Sequence, residues 1–335
     1  MPAETVVITG ATAGVGRATA RAFARHSARI GLLARGADRL NAAAAEVREL
    51  GGEALALPCD VADADAVDSA ADAVERQLGP IDIWINNAMA TIFAPVAEIT
   101  PEEYRRATEV TYLGCVWGTM AALKRMRPRN HGTIVQVGSA LAYRSIPLQA
   151  PYCGAKHAVR GFTDALRSEL IHDNSRVHLT MVQLPALNTP QFDWARNKMG
   201  WRPQPVPPIF QPEVAAEAIV FAAHAKRREI DVAGPTVEAI IANKIAPGLL
   251  DWYLARTCYD GQLTDEPEPQ RSDNLFTAVP GDFAAHGRFD AAARGFSNEL
   301  WLSRQRGWVL AGIGLIAGAA AGWLSGRASR RALPA

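Results

Sequence analysis

Three side chains that could transfer a proton, Ser139, Tyr152 and Lys156, occur at an informative spacing. The lysine follows the tyrosine by four residues, and the serine precedes the tyrosine by thirteen. Side chains at i and i+4 share one face of a helix, and a nearby ammonium favours ionisation of a phenol whose ordinary pKa is about 10. Tyr152 could then be the acid in carbonyl reduction and the base in the reverse reaction, with Ser139 hydrogen-bonded to the substrate oxygen. Because Tyr-x-x-x-Lys is common by chance, this interpretation needs support from elsewhere in the chain.

A glycine-rich loop near the N-terminus has the composition of a phosphate-binding turn. It runs from Thr9 to Arg17, after an apolar run and before a helical pattern. Its glycines permit a tight turn, a close approach to a pyrophosphate and close helix–strand packing, and the helix N-terminus attracts the anion. A purely structural turn is the alternative, but the position at the first strand–helix junction favours a cofactor. We expect dinucleotide contacts at Gly10, Thr12, Ala13, Gly14, Val15 and Gly16.

The elements that position these residues alternate along the chain through residue 234. Short apolar, β-branched runs are separated by alanine-rich stretches of helical spacing. This alternation predicts an α/β fold, a Rossmann-type doubly wound parallel sheet covered on both faces. The predicted strands are 6–9, 29–33, 53–58, 81–86, 133–137, 177–183 and 229–232.

Composition and charge exclude several classes of protein. With 49% hydrophobic and 21% charged residues, the 335-residue chain is neither wholly disordered nor fibrous. The net charge of +1 indicates no nucleic-acid partner; five arginines from Arg304 onwards leave −4 on residues 1–303. The four cysteines are far apart and form no Cys/His cluster, so we expect neither a metal site nor a disulfide framework. Without a signal-peptide pattern at the N-terminus, we expect a cytoplasmic body.

The loop spacing Thr-Gly-x-x-x-Gly-x-Gly, followed by Ser139, Tyr152 and Lys156, resembles the classical short-chain dehydrogenase/reductase family over residues 4 to about 250. The resemblance implies that Tyr152 exchanges the proton and that Lys156 holds the nicotinamide ribose while lowering the tyrosine pKa. It also implies cofactor contacts at the ends of the third, fourth and sixth strands. These fall on Asp60, Val61, Asn87, Ala88, Pro185 and Thr189.

Three positions depart from the family pattern. Met89 and Ala186 replace glycines, and Thr111 replaces an asparagine. The Thr111 hydroxyl could hold a relay water in place of the asparagine amide. These departures motivate an alternative of another class, a membrane-tethered dinucleotide-binding protein without turnover, acting as a sensor or scaffold. A nucleotide-sugar epimerase fits less well, because its glycine spacing usually differs.

The end of the second strand indicates the cofactor. Ala34 and Arg35 stand where NAD-preferring members tend to place an acid for the ribose 2′-hydroxyl. A guanidinium matches a 2′-phosphate in charge and geometry, so we predict NADP(H) bound by Arg35, with NAD(H) as the alternative. Arg17 offers a second positive contact, and a solvated loop arginine is the other interpretation of Arg35.

The chain is predicted to have three parts. Residues 1–258 form the dehydrogenase domain, with a lid rich in proline and aromatic residues at 186–212; 259–303 form a polar linker, and 304–335 a membrane anchor. The anchor contains a predicted helix, 307–326, whose twenty uncharged residues would span about 30 Å. A buried glycine-rich helix in a soluble fold is the alternative, and arginines on both sides leave the orientation open.

These observations together predict an NADP(H)-dependent oxidoreductase that interconverts a carbonyl and an alcohol. The aromatic lid and the anchor indicate a small apolar substrate. We also expect a homo-oligomer whose catalytic domain is cytoplasmic and attached to a membrane by the C-terminal helix.

Overall fold

A computed structural model describes residues 3–306 and contains one seven-stranded parallel sheet with the order β7-β6-β5-β4-β1-β2-β3. The predicted Rossmann-type fold is confirmed, and each predicted strand lies within two residues of its observed bounds. The chain reverses direction across the sheet between β1 and β4, where ligands bind in such folds. The strands are β1 (Thr5–Thr9), β2 (Arg29–Ala34), β3 (Glu53–Pro58), β4 (Ile83–Asn86), β5 (Thr133–Val137), β6 (His178–Gln183) and β7 (Glu229–Asp231).

Helices cover both faces of the sheet and bury two apolar cores. Val6 and Ile8 of β1 enter the core with α1, α2 and α8, whereas Val7 enters the core with α3, α5 and α6. Successive strand side chains point to opposite faces, which explains the unbroken apolar run of β1. The helices are α1 (Gly14–Ala24), α2 (Ala37–Glu49), α3 (Ala64–Leu78), α4 (Pro101–Thr108), α5 (Gly114–Arg129), α6 (Ala150–His172), α7 (Gln191–Trp194), α8 (Pro212–His224), α9 (Gly234–Ile245), α10 (Pro247–Thr257) and α11 (Asn298–Arg304).

The segment predicted to be a lid is joined to the segment predicted to be a linker. Trp201–Pro203 pairs antiparallel with Leu263–Pro267, and Ile209–Phe210 pairs parallel with Ala293–Arg294. Residues 259–303 therefore pack on the domain, and the expectation of a linker is corrected.

Ion pairs explain why this polar segment folds against the domain. Asp273 contacts Arg196 at 2.9 Å and Asp282 contacts Arg17 at 3.3 Å, while Leu275 is fully buried. A segment of low apolar content is expected to be a linker only if its polar groups lack partners. Here the acidic side chains of the segment find basic partners in the domain, far away in the sequence.

Within residues 3–306, no helix combines the length and the apolar character needed to cross a bilayer. The predicted helix 307–326 lies outside the described residues.

Candidate active site

The glycine-rich loop connects β1 to α1 at the reversal point of the sheet. Gly14 has a φ of +53°, a left-handed conformation that disfavours other residues. A Cβ on Gly16 would lie 2.2 Å from the carbonyl oxygen of Gly10, so only glycine lets the helix start this close to the strand. The loop thus has the predicted geometry.

Asn87 fastens the end of β4 to this loop. Its Nδ2 donates to the carbonyl oxygens of Thr9 and Gly10 at 3.0 and 3.2 Å, and its amide donates to Thr9 Oγ1 at 2.9 Å. These bonds bring Asn87 and Ala88 to the wall of a cavity that also contains the predicted residues Asp60 and Val61.

Asp60 is held at the far end of that cavity by Arg106, whose Nη2 donates to its carboxylate. Burial alone would raise the pKa of Asp60, but the hydrogen bonds from Arg106 and from the Ala62 amide, together with the charges of Arg106 and Arg35, outweigh burial and lower that pKa. The carboxylate is therefore ionised and already paired.

Arg35 lies where the sequence places it, but its guanidinium has protein partners. It donates to the carbonyl oxygens of Asn274, Leu275 (3.3 Å) and Phe276 (3.1 Å). Burial lowers its pKa. Arg35 thus lines the cavity while it is bound to the C-terminal segment.

Arg39, which the sequence analysis missed, also lines this cavity. Its guanidinium lies 5.0 Å from the Trp194 ring and 5.2 Å from the Phe283 ring, and the residue is 8% exposed. Its Nη2 is buried without a hydrogen-bond partner in the described part of the chain. A buried, unpaired guanidinium N–H suits a phosphate oxygen. Its spacing, four residues after Arg35 at the start of a helix, could have indicated it.

Arg17, in contrast, is not available to a ligand. It is 1% exposed, and it donates to Glu46 at 2.8 Å and to the carbonyl oxygen of Thr12 at 3.2 Å, besides contacting Asp282. The suggestion that Arg17 contacts the cofactor is therefore corrected, because acidic partners from α2 and from the C-terminal segment consume its donors.

Residues 273–287, which we call the C-terminal strap, cross the mouth of this cavity. Asn274, Ala278 and Val279 form part of its wall, and the amide of Gly14 donates to the Ala284 carbonyl oxygen at 3.1 Å. Gly14, which is predicted to contact the dinucleotide, thus donates its amide hydrogen to the strap.

Ser139, Tyr152 and Lys156 converge on a second cavity. Ser139 follows β5, and Tyr152 and Lys156 lie on the first turns of α6, whose Pro151 suits a helix start. Lys156 Nζ donates to the Val137 carbonyl oxygen at 2.6 Å and lies 5.5 Å from the centroid of the Tyr152 ring. The structure therefore brings together the three residues predicted from their spacing.

Burial is the main cause of the shifted pKa values of Tyr152 and Lys156. It raises the pKa of the Tyr152 phenol above its ordinary range, against the hydrogen bond with Ser139, and it lowers the pKa of Lys156 to about 8. The shift of the Tyr152 pKa is opposite to the lowering expected from the sequence, because desolvation of the phenolate outweighs the hydrogen bond with Ser139. At neutral pH, Tyr152 is a neutral phenol and Lys156 is mostly an ammonium.

Thr111 is not part of this convergence. It lies in a π-helical turn, Glu109–Leu113, between α4 and α5, and it is 1% exposed. Its Oγ1 donates to the Ala90 carbonyl oxygen and accepts from the Ala90 amide, both at 3.0 Å. The hydroxyl fastens the chain after β4 and is not among the groups that line the second cavity, so the expected relay role is corrected to a structural one.

The second cavity is mostly apolar and continues into the first. Val15, Asn87, Met89, Thr189 and Gln191 line both cavities. Predicted residues Pro185 and Thr189 are thus on the wall, and Met89 stands at the junction. Further apolar lining comes from the lid, from α10 and from the residue after it, with Leu187, Phe192, Val206, Pro207, Leu254 and Cys258.

Comparison with known proteins agrees with this geometry. The family model described as short chain dehydrogenase matches residues 4–199. The uncharacterized oxidoreductase YxnA of Bacillus subtilis is 30% identical over 281 residues, covering 83% of this chain and 79% of that protein. The 17-beta-hydroxysteroid dehydrogenase 13 of Rattus norvegicus is 37% identical over 167 residues, covering 50% and 56%.

Solved structures show the same fold. An alcohol dehydrogenase from the archaeon Thermococcus sibiricus, complexed with 5-hydroxy-NADP, is 27% identical with a TM-score of 0.58 and covers 68% of this chain and 95% of that one. A metagenomic short-chain oxidoreductase in complex with NADP, 24% identical with a TM-score of 0.58, covers 68% and 96% and shares the fold.

Proposed function

The chain belongs to the short-chain dehydrogenase/reductase family of oxidoreductases, and from this premise we propose that it interconverts a carbonyl and an alcohol with NADP(H), on an apolar substrate. One observation carries the proposal: Ser139, Tyr152 and Lys156 line an apolar cavity that continues into the groove of the glycine-rich loop.

In the proposed reaction, Tyr152 delivers the proton. Its raised pKa keeps the phenol protonated at neutral pH, so it can donate to the oxygen of a carbonyl as negative charge develops there. The Ser139 hydroxyl donates a second hydrogen bond to that oxygen, and the Lys156 ammonium stabilises the phenolate that remains. The nicotinamide would supply or accept the hydride.

The cofactor proposal depends on the two arginines at the outer end of the first cavity. Arg39 has a buried N–H without a partner, and Arg35 lies on the same wall. Both positive charges suit a 2′-phosphate. The archaeal alcohol dehydrogenase, which has the same fold, is complexed with an NADP analogue. The adenosine would lie near Asp60 and Val61, and the nicotinamide near Asn87, Pro185 and Thr189.

We also propose that residues 304–335 attach the protein to a membrane. The support is the run of twenty uncharged residues from Gly307 to Gly326, with Trp308 and Trp323 near its ends. Attachment by this segment would keep the dehydrogenase domain outside the bilayer.

The test is NADPH consumption over a panel of aldehydes and ketones of increasing apolarity. The Tyr152→Phe variant should retain NADPH binding and lose turnover by ~10²–10⁴, the usual contribution of a positioned acid. Tyr104→Phe, a change to a tyrosine 39% exposed on α4, is the matched control. Near-normal turnover of Tyr152→Phe contradicts the assignment, and NADPH binding without turnover on any carbonyl favours the sensor or scaffold alternative.

A further inference from the structure

The hairpin of α9 and α10 has an apolar outer face. Five of its large apolar side chains are between 50% and 78% exposed. The two on α9 are four residues apart, and the last two on α10 follow the first by three and four residues, so they follow one stripe along each helix. These residues, which we call the outer face, are Ile241, Ile245, Leu249, Trp252 and Tyr253.

The opposite side of the same hairpin forms part of the substrate cavity. Pro235 and Thr236 at the start of α9, Leu254 of α10, and Cys258 directly after α10 line the cavity that contains Ser139 and Tyr152. One thin layer of helix therefore separates the apolar cavity from the apolar outer face.

Charges around the outer face suit a lipid headgroup layer. Lys244 is exposed, and the Arg256 guanidinium lies 4.1 Å from the centroid of the Trp252 ring. Of the acidic residues on the hairpin, Asp251 is paired with Arg144 at 2.5 Å, and Glu238 lies one turn before Ile241. Tryptophan and tyrosine beside basic side chains are typical of membrane–water interfaces.

The continuation of the chain indicates which partner covers the outer face. Ser297 Oγ accepts from the Ala233 amide at 3.2 Å, so the beginning of α11 abuts the start of α9. α11 exposes Trp301 and Leu302, and the uncharged run begins at Gly307 shortly after it. An amphipathic surface beside a basic, apolar chain end favours a bilayer over a soluble protein partner.

We propose that the outer face of α9 and α10 lies in the headgroup layer of a membrane, where the adjoining cavity takes up its apolar substrate from the bilayer. This proposal rests on the proposed function in one respect only, namely that the second cavity binds the substrate. The contact is separate from the anchor, because it is formed by side chains of the folded domain.

The test places an environment-sensitive fluorophore at Leu249→Cys in the full chain, since the four native cysteines are buried. Ile171→Cys, at a site 71% exposed near the end of α6, is the matched control for attachment by the anchor alone. With vesicles of phosphatidylcholine and a minority of phosphatidylglycerol, we expect a blue shift and a several-fold intensity increase at position 249 and none at 171.

The other outcomes each overturn the proposal in a recognisable way. Sedimentation with vesicles without a shift at 249 excludes the outer face but leaves the anchor intact, and failure to sediment excludes both. A shift that grows with protein concentration without vesicles assigns the face to a second copy of the chain. The fluorophore reports contact with the membrane whether or not the protein is catalytically active. NADPH assays therefore test the proposed function separately.

A kinetic measurement tests the uptake of substrate. The I245S/L249Q/W252Q variant changes no residue that lines the cavity. We expect kcat/KM to fall several-fold for an apolar carbonyl dissolved in vesicles and to stay unchanged for a water-soluble carbonyl. Equal effects on both substrates would show that the hairpin matters only for the fold.

Discussion

Arg35 and Arg39 line one cavity but differ in their hydrogen-bonding partners. Arg35 donates to three strap carbonyls, whereas Arg39 has an unpaired buried Nη2. Both alanine variants should weaken NADPH more than NADH, because only NADPH carries the 2′-phosphate. A charged hydrogen bond contributes about 1.5–3 kcal/mol, so Arg39→Ala should raise the NADPH Kd at least ~10-fold, more than Arg35→Ala does.

Titration of both cofactors by fluorescence measures these effects. Arg105→Ala, which changes an exposed arginine on α4, is the control and should leave both Kd values unaltered. A wild-type preference for NADH, or equal losses for the two cofactors, would contradict the assignment.

Lys156 makes stability depend on pH in an alkaline window. Its pKa falls from 10.5 in the unfolded chain to about 8 in the fold, where the residue is 4% exposed. Between these values the unfolded state binds more protons, so the free energy of unfolding rises with pH. Relative to Lys156→Met, the wild type should gain up to about 3 kcal/mol from pH 8 to 10.5, at ~1.36 kcal/mol per pKa unit.

Urea unfolding at several pH values measures this difference. The same comparison with Lys124→Met, a change at an exposed surface ion pair, should be flat across the window. A flat difference for Lys156→Met as well would mean that the lysine titrates normally in the fold.

Among the elements, the C-terminal strap connects the first cavity, the proposed cofactor site, to the lid. A Cβ on Gly287 would lie 2.6 Å from the Thr189 carbonyl oxygen and 2.9 Å from Asn188 Oδ1, so no other residue fits without moving the strap. Gly287→Ala should therefore destabilise the fold by ~1–3 kcal/mol, as overpacking does, and weaken NADPH binding by displacing one cavity wall. Thermal unfolding and NADPH titration measure the two effects.

Gly261→Ala is the matched control, because no atom lies within 4 Å of a Cβ at that position. It should leave stability and binding nearly unchanged. If Gly287→Ala behaves like this control, the strap is not a wall of the cofactor site.

For the whole molecule, the proposed attachment to a membrane is tested by sedimentation. The full chain should sediment with membranes and resist a high-salt wash, because a helix over 307–326 would satisfy its backbone groups within lipid. A chain ending at Arg306 retains α11 and the strap. It should bind membranes more weakly and lose part of that binding in high salt, because salt screens the basic side chains and leaves only the apolar outer face as a contact. Full-length protein that stays in the supernatant without detergent would contradict the anchor.

Short-range patterns in the sequence were sufficient to predict the sheet and the proximity of Tyr152 and Lys156. The strands follow from apolar runs, and Tyr152 and Lys156 meet because helical geometry places i and i+4 on one face. The glycine-rich loop is only partly local. A Cβ on Gly16 would lie 2.2 Å from the Gly10 carbonyl oxygen, six residues away, whereas a Cβ on Gly14 would lie 3.1 Å from the Thr189 side chain, far along the chain.

Only the tertiary structure decided the state of the charged and titrating groups. Arg35 meets Leu275 across 240 residues, Arg17 meets Asp282 across 265, and no local pattern connects them. The same holds for Tyr152, whose pKa depends on how completely the surrounding elements exclude water. Hydrogen-bond partners and desolvation are properties of the packed chain, so composition predicted a linker and a free Arg35 where the fold has a strap bound to that arginine.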